Sequence, residues 1–508
     1  MAWRGLPVFG LFLVVLAAAM LAPALLALGQ GETKVAAAFG YGALITAAAG
    51  AGVTVAMRGR AESGAFGEFG ALLAILLLAP IAAAAPVAIA LPQLGFEAAW
   101  FEMVSMITTT GATVFDRPSH TPAAVLVWRA LVAWLGGLVA LVAAWSILAP
   151  RGLGGFEVRA DEGRSAPVGR LAGAPAWAGG RDAEAASDRL AGALRSVLPV
   201  YLGLTIALGL ALAACGAPAL YAAGTAAGIL STTGVALSDG PALAAAGTAG
   251  EAVAALALGL AVTRHAYGGV GRAPFRFREM RRDPEMRLLG AAVLIVTGVL
   301  YLRHFAGALD LPDAGASVTA LRTLWGGFFT TLSFATTTGY LSQDWEAARS
   351  WSGLDNPTLV FLGLAAMGGG IATTAGGIKL LRVYALLKHS AREMEKLTSP
   401  GSVASRGVGG RAIRREGAQI AWVFVMLYVV TLAATMLGLG LTGLSFERGL
   451  AASVAALSNT GPLYNAMTDA SWLTSLKPEA RRVLAAAMIV GRIEILALVA
   501  MINRDIWR

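Results

Sequence analysis

Four segments of the chain end in a Thr-Gly step, and each follows a short, weakly polar stretch between two long apolar segments. The four segments are Thr108–Gly111, Ser231–Gly234, Thr336–Gly339 and Ser458–Gly461. Backbone carbonyls and threonine hydroxyls can replace the hydration shell of a cation when several equivalent loops surround one axis. Single Thr-Gly pairs are commonplace in membrane helices rich in glycine and alanine, but four in equivalent positions predict an ion pore. We expect its oxygen rings to include the carbonyls around Thr110, Thr233, Thr338 and Thr460.

A second feature is the stretch from Met367 to Gly377, which has five glycines in eleven residues. A glycine inside a helix costs about 1 kcal/mol relative to alanine, so the stretch predicts a break in an apolar span and an intramembrane loop. The alternative is a packing seam of small residues between two helices. Lys379 follows the stretch, where it either serves the loop or anchors the cytoplasmic end of a helix.

Three ionisable residues lie inside apolar sequence. Arg492 is in the last apolar segment and is followed by Glu494. Charge within a membrane is costly and indicates function, although Arg492 could also be a structural partner for a carboxylate or for the carbonyls of a broken helix. Glu102, in the stretch before the first Thr-Gly step, could attract cations or cap a helix.

The composition places the chain among membrane proteins. Hydrophobic residues make up 57% and charged residues 14% of 508 positions, whereas soluble domains carry roughly 25% charge. The single cysteine, Cys215, excludes a disulfide framework and a cysteine metal cluster. Four histidines are scattered, and no arrangement for a hydrolase or a metalloenzyme occurs, so we expect no enzymatic activity and no organic cofactor.

The net charge of +9 is concentrated in three linkers. They run from Arg151 to Arg189, from Arg264 to Arg287 and from Lys379 to Arg415. Basic linkers stay in the cytoplasm, so this distribution explains the charge without nucleic-acid binding. With an even number of spans, both termini are then expected in the cytoplasm.

Ten apolar segments are long enough to cross a bilayer, which takes roughly 20 helical residues. They lie at about 6–28, 35–57, 68–92, 122–149, 195–216, 242–263, 287–309, 357–388, 418–443 and 482–503. Shorter stretches at 97–110, 218–233, 320–338 and 446–460 each end in a Thr-Gly step, which predicts re-entrant helices followed by an extended strand. Such backbone is tolerated at membrane depth only inside protein or beside water.

The predicted fold is an all-α polytopic membrane protein with four span–pore-helix–filter–span repeats around one pseudo-four-fold pore, after two leading helices. The expected division is 1–60 leading helices, 61–150 repeat 1, 151–190 linker, 191–265 repeat 2, 266–286 linker, 287–390 repeat 3 with a broken last span, 391–415 linker and 416–508 repeat 4.

Several stretches taken together resemble the Trk/Ktr/HKT potassium-transporter superfamily, most closely the membrane subunit of the bacterial Trk type (TrkH/TrkG). They are Thr108–Val114, Trp128-Arg129, Trp134–Gly137, Ala335–Tyr340, Gly368–Arg382, Ser458–Pro462 and Gly491–Glu494. The resemblance covers nearly the whole chain. The second Thr-Gly segment, Ser231–Val235, departs from the Gly-Gly-Phe form common in the family.

The resemblance implies a potassium filter and a gate. The filter would use Thr109, Thr110, Gly111, Thr232, Thr233, Gly234, Thr337, Thr338, Gly339, Asn459, Thr460 and Gly461. The gate would use Gly368, Gly369, Gly370, Gly376, Gly377, Lys379 and Arg492. K⁺ would be the transported ion, and the four glycines of the Thr-Gly steps go with potassium selectivity.

The resemblance also implies partners and a location. The family forms homodimers and docks a cytoplasmic nucleotide-binding regulatory subunit, which is TrkA-like. The chain would lie in the bacterial inner membrane and take up potassium, passively or as a symporter. A sodium-permeable or non-selective cation channel of the same fold is the alternative.

Overall fold

The computed structural model describes most of the chain. The described residues are 8–57, 65–115, 117–158, 183–268, 274–307, 316–353, 358–398, 415–466, 473 and 475–495. Most of the predicted linkers 151–190 and 391–415, and the end of the predicted last span, lie outside these ranges. Within them the regular structure is helical.

The chain begins with two long apolar helices, α1 (Val8–Gly29) and α2 (Thr33–Ala56), which pack as a hairpin. Small residues let their backbones approach closely. A Cβ built on Gly50 would lie 3.0 Å from the carbonyl oxygen of Gly10 and 3.0 Å from the Cβ of Leu13. The hairpin also contacts the next two spans, so it is part of the helical body.

The first span–helix–span unit contains α3 (Ala65–Ala90), α4 (Gly95–Ile107) and α5 (Ala123–Ala143). Helix α4 has 13 residues, or about 20 Å at 1.5 Å per residue, so it is too short to cross a hydrocarbon layer of about 30 Å. Its last nine residues are buried except Trp100, and it packs between α3 and α5. This is the geometry of a re-entrant helix.

The second unit repeats the order with α6 (Ala183–Ala214), α7 (Ala219–Leu230) and α8 (Gly247–Ala261). Helix α7 has 12 residues and is again too short to span. Two short helices follow before the third unit, α9 (Arg264–Tyr267) and α10 (Phe277–Arg282).

The third unit contains α11 (Pro284–Gly307), α12 (Ala316–Ala335), α13 (Trp345–Ser352), α14 (Thr358–Met367) and α15 (Leu380–Thr398). Helix α12, at 20 residues, is longer than its counterparts. The chain between α14 and α15 is not helical, and this interruption coincides with the glycine run. The span predicted at 357–388 is therefore two half-helices joined by a loop.

The fourth unit contains α16 (Arg415–Leu441), α17 (Phe446–Leu457) and α18 (Pro478–Ile493). Eight helices of the described residues are long and apolar enough to cross a membrane. Ten spans were predicted; the other two are the interrupted one and the last one, whose described helix is the 16-residue α18. Large apolar side chains cover the outside, including Leu44, Leu256 and Leu437, as expected for a surface in contact with lipid.

Candidate functional site

The four Thr-Gly segments, here called the Thr-Gly loops, begin directly after the helices α4, α7, α12 and α17. In every loop the amide of the third residue donates to a carbonyl five residues earlier. These bonds join Thr110 to Ser105, Thr233 to Gly228, Thr338 to Ser333 and Thr460 to Ala455, at 2.8 to 2.9 Å. The amide of the second residue of each loop donates to the carbonyl oxygen of the residue three positions earlier. This is the Schellman helix end, which satisfies carbonyls that the last turn leaves free.

The second residue of each loop has left-handed backbone, and none of the four is glycine. These cap residues are Thr109, Thr232, Thr337 and Asn459, with φ of 55°, 52°, 60° and 51°. Glycine or asparagine is usual at this position, and a β-branched residue there is an outlier that costs on the order of 1–3 kcal/mol. Such strain persists only where surrounding contacts fix it, so the neighbours of the cap residues must hold them in this conformation.

The Thr-Gly loops contact one another in chain order. A Cβ built on Gly111 would collide with the carbonyl oxygen of Thr233 in the second loop. A Cβ built on Gly234 would collide with the carbonyl oxygen of Thr338 in the third loop. Both glycines also have positive φ, at 80° and 66°. Two requirements, conformation and close approach, therefore exclude side chains at these positions.

The fourth loop completes a ring. A Cβ on Gly339 would lie 2.7 Å from the Cβ of Pro462, and the amide of Gly461 donates to the carbonyl oxygen of Thr110 at 2.5 Å. The fourth loop differs from the others because Gly461 begins a 3-10 turn. The Thr110 carbonyl, which the sequence predicts to line the pore, accepts this bond.

The threonine hydroxyls of the first three loops pair within each loop. Thr108 Oγ1 lies 2.8 Å from Thr110 Oγ1, and Ser231 Oγ lies 2.7 Å from Thr233 Oγ1. The third loop repeats the contact between its first and third residues at 3.3 Å. In the fourth loop, the hydroxyl of Ser458 instead contacts the Tyr428 hydroxyl at 3.2 Å. The predicted filter residues are thus brought together and buried, with three similar loops and one that differs.

The glycine loop, residues 368–377, lies against the cap residues through Thr374. The Oγ1 of Thr232 donates to the Oγ1 of Thr374 at 3.1 Å, and Thr374 Oγ1 donates to the carbonyl of Leu230 at 3.2 Å. The Oγ1 of Thr109 approaches the Thr374 carbonyl at 3.5 Å. Thr374 therefore bridges the first two Thr-Gly loops from below.

Gly376 makes the corresponding contacts to the third and fourth loops. Its amide donates to Thr337 Oγ1 at 3.1 Å. A Cβ built on Gly376 would collide with the carbonyl oxygen of Ser458. The glycine loop thus touches all four units, and the predicted gate residues Gly368 and Gly377 approach each other at its two ends.

The two positively charged residues of the predicted gate, Arg492 and Lys379, bind carbonyls of the glycine loop. The Nη1 of Arg492 donates to the Thr374 carbonyl at 2.6 Å. The ammonium of Lys379 donates to the Ala375 carbonyl, and only 7% of this lysine is exposed. Both cations therefore hold the loop in place by binding its backbone. The Nη2 of Arg492 is buried with no hydrogen-bond partner in the described part of the chain.

A buried ion cluster at the start of α15 holds the other end of the glycine loop. Arg382 Nε lies 2.6 Å from Glu157, and Arg382 Nη2 lies 2.8 Å from Glu494. Its guanidinium carbon lies 3.7 Å from the ring centre of Phe424. This cluster joins three units, and sequence reasoning missed it because Arg382 was counted among the linker cations.

A second ion cluster, formed by the first turn of α11 and the linker before it, reaches the glycine loop. The amide of Ile371 donates to a carboxylate oxygen of Glu285 at 3.0 Å, and Arg264 Nη2 lies 2.8 Å from Asp283. Burial by itself raises the pKa of Asp283, but the hydrogen bond from His265 and the charge of Arg264 lower it to about 2. Asp283 is therefore ionised at any physiological pH.

Taken together, the helical spans, the re-entrant helices and the ring of loops define a polytopic membrane protein of the transporter class. A family model described as TrkH, a cation transport protein, matches residues 311–505. The Trk system potassium uptake protein TrkH of Salmonella typhimurium is 28% identical over 421 residues, covering 82% of this chain and 80% of the relative. TrkG of Escherichia coli is 29% identical over 421 residues, with the same shares.

A solved structure has the same fold. The crystal structure of the potassium transporter TrkH from Vibrio parahaemolyticus matches with a TM-score of 0.79 and 23% identity, covering 100% of both chains. The resemblance to Trk-type potassium transporters that was drawn from the sequence is confirmed by these comparisons. The predicted all-α membrane fold is confirmed as well, and the family is one of transporters rather than enzymes.

Proposed function

We propose that this chain takes up potassium across the bacterial inner membrane through a single pore lined by the four Thr-Gly loops. The observation that carries the proposal is the closed ring, in which four helix ends of the same geometry meet in chain order. Helix C-termini carry partial negative charge, so four of them directed at one place favour a cation there. The relatives that match across four fifths of the chain are potassium uptake proteins by name.

The proposed filter consists of the second to fourth residues of each Thr-Gly loop, twelve residues in all. Its selectivity for K⁺ would come from the number and spacing of carbonyl and hydroxyl oxygens. The close approach of the loops supports this assignment, because glycine is needed at all four steps, where a neighbouring loop leaves no room for a side chain.

The proposed gate is the glycine loop with Lys379 and Arg492. The loop lies beneath the ring, with Thr374 and Gly376 against the cap residues. Arg492 would place a positive charge on the permeation path, besides holding the Thr374 carbonyl. Opening would require the loop to leave the cap residues.

The proposed assembly is a homodimer with a cytoplasmic nucleotide-binding subunit of the TrkA type. Both termini and the three basic linkers would lie in the cytoplasm. Two ion clusters, around Arg382 and around Asp283, connect the glycine loop to these linkers. A movement that a cytoplasmic partner causes in the linkers would be transmitted to the proposed gate through these clusters.

The substitution Gly339→Ser tests the filter. Gly339 has φ of 81°, where a side chain costs about 1–2 kcal/mol, and a Cβ there would press on Pro462 at 2.7 Å. We expect the ratio of K⁺ to Na⁺ permeability to fall roughly tenfold, which corresponds to about 1.4 kcal/mol. The ratio is measured by flux in liposomes, alongside growth of a potassium-uptake-deficient bacterium on low potassium.

Gly363→Ser is the matched control, because Gly363 lies in α14 of the same unit and a Cβ there meets nothing within 4 Å. An unchanged ratio in Gly339→Ser would contradict the filter assignment. Equal permeability of the wild-type protein to K⁺ and Na⁺ would instead favour a sodium-permeable or non-selective channel of the same fold.

A further inference from the structure

A buried ion pair lies beside the ring, on the side opposite the glycine loop. Glu102 is in the re-entrant helix α4 and Arg129 is in the span α5, and Arg129 Nε lies 2.7 Å from a carboxylate oxygen of Glu102. Both side chains are 0% exposed. Because the pair is buried and neutral as a whole, Glu102 is not placed to attract cations from solution.

Within the described residues, every other side-chain hydrogen bond of this pair goes to chain that follows a Thr-Gly step. The second carboxylate oxygen of Glu102 accepts from the amide of Val114 at 2.8 Å. Arg129 Nη2 donates to Thr113 Oγ1 at 2.9 Å, and Nη1 donates to the carbonyl of Ala236 at 3.0 Å. Val114 and Thr113 follow Gly111, whereas Ala236 follows Gly234. The pair therefore joins the first loop to the second.

The second and third loops are joined in the same region. The hydroxyl of Tyr340, directly after Gly339, donates to the carbonyl of Val235 at 2.9 Å. Glu251 of α8 is buried and accepts from the amide of Gln343 at 2.6 Å and from the hydroxyl of Ser342 at 2.8 Å. A buried carboxylate from the second unit thus holds the chain after the third Thr-Gly step.

Burying an ion pair is seldom the most stable solution, since well-packed apolar residues often do as well. The contribution of the pair is to fix the relative positions of the groups that it binds. A guanidinium presents its donors in a rigid planar fork, so its three acceptors are held at fixed positions relative to one another. In a ring of oxygens, ion discrimination depends on spacing and on ligand number, and both change when adjacent loops move apart.

We propose that Glu102 and Arg129 are positioning residues for ion selectivity, which set the separation of the first and second Thr-Gly loops, and that Tyr340 does the same for the second and third. The proposal rests on the proposed function of the ring as a filter. It assigns these residues no contact with the transported ion.

The test compares Arg129→Lys with wild type in liposomes, using K⁺, Rb⁺ and Na⁺ fluxes normalised to reconstituted protein. A lysine keeps the charge opposite Glu102 but lacks the planar fork with which the guanidinium holds Glu102, Thr113 and Ala236 at once. We expect the ratio of K⁺ to Na⁺ permeability to fall on the order of tenfold. Arg264→Lys is the control, because Arg264 is an equally buried arginine paired with Asp283 away from the ring, and its ratio should match wild type.

A second variant keeps the test decisive where Arg129→Lys yields no folded protein. Tyr340→Phe removes one hydroxyl and its bond to Val235, and should lower the same ratio by a smaller factor, roughly two- to fivefold. Glu102→Gln retains an acceptor for the Val114 amide and should also lie between wild type and Arg129→Lys.

A wild-type ratio in Tyr340→Phe and Glu102→Gln, with reduced protein yield or total flux, would overturn the proposal and leave the pair a structural one. Failure of the proposed function has a different signature, since it appears in the wild-type protein as equal flux of K⁺ and Na⁺.

Discussion

The two faces of the loop ring are held by different kinds of bond. On the outer face, which carries the chain after the Thr-Gly steps, carboxylates and a guanidinium bind the loops at 2.6 to 3.0 Å. On the inner face, which carries the cap residues, neutral threonine hydroxyls meet the glycine loop at 3.1 to 3.5 Å. Bonds to charged groups are roughly twice as strong as neutral ones. This difference fits the proposed gate, in which the outer face stays fixed and the glycine loop leaves the inner face.

The exception on the inner face is Arg492, whose bond to the Thr374 carbonyl is short and charge-assisted. The neutral contacts of the loop contribute about 0.5–1.5 kcal/mol each, whereas a bond to a charged group contributes about 1.5–3 kcal/mol. Arg492 therefore holds the loop against the fourth unit more strongly than any one of the neutral contacts on this face does. Substitutions on the inner face should change flux, and those on the outer face should change selectivity.

The largest effect is expected for Arg492→Ala. It removes a charge-assisted bond worth about 1.5–3 kcal/mol and a positive charge beside the loop, so flux should rise by at least roughly tenfold. Rubidium uptake per unit of protein measures it. Arg482→Ala in the same helix is the control, since Arg482 is 64% exposed and its Glu97 contact is 3.5 Å long. Equal or lower flux in Arg492→Ala would make Arg492 a structural residue.

A smaller effect is expected for Thr374→Val, which keeps the shape of the side chain and removes the hydroxyl that meets Thr232 and Leu230. Losing these neutral bonds should raise flux several-fold, by about 1 kcal/mol, with the ratio of K⁺ to Na⁺ permeability unchanged. The same liposome assay reports both quantities. A changed ratio with unchanged flux would remove the distinction between the two faces.

The smallest effect on transport is expected at the linker that supports the inner face, where the change is in stability rather than in flux. The pKa of Asp283 is about 2 in the folded protein, below its ordinary value of 3.8, so its ionised form stabilises the fold above that ordinary value. This contribution, about 2 kcal/mol, should be lost as the pH falls from about 4 to about 2. Thermal unfolding of detergent-solubilised protein measures it. Asp283→Asn should be less stable at neutral pH and show a weaker pH dependence; an identical dependence would exclude Asp283 as its source.

The local features of this site could be read from the sequence. Thr-Gly steps after short weakly polar stretches indicated where the re-entrant helices end, and three adjacent glycines indicated where α14 stops. Both helix ends depend on residues that lie within one helical turn of each other in the sequence. The predicted start of α12 was less accurate, since the helix begins at Ala316 rather than at 320.

Contacts between distant residues could not be read in this way. Glu157 and Arg382 are 225 positions apart, and Glu102 is 27 from Arg129 on another helix. A charge pattern shows on which side of the membrane a linker lies, but not which carboxylate an arginine meets. The left-handed conformation of the cap threonines was equally hidden, because threonine propensity argues against it and only tertiary contacts impose it.

The glycine loop occurs in one of four units, and so does Arg492. Had the ring been assembled from four identical chains, every quadrant would carry its own loop, and four copies would compete for the space beneath one axis. Joining the quadrants covalently removes that conflict and lets each diverge, as Asn459 has from the three threonines. A single loop beneath a ring of four similar quadrants is an arrangement that a homotetramer could not encode.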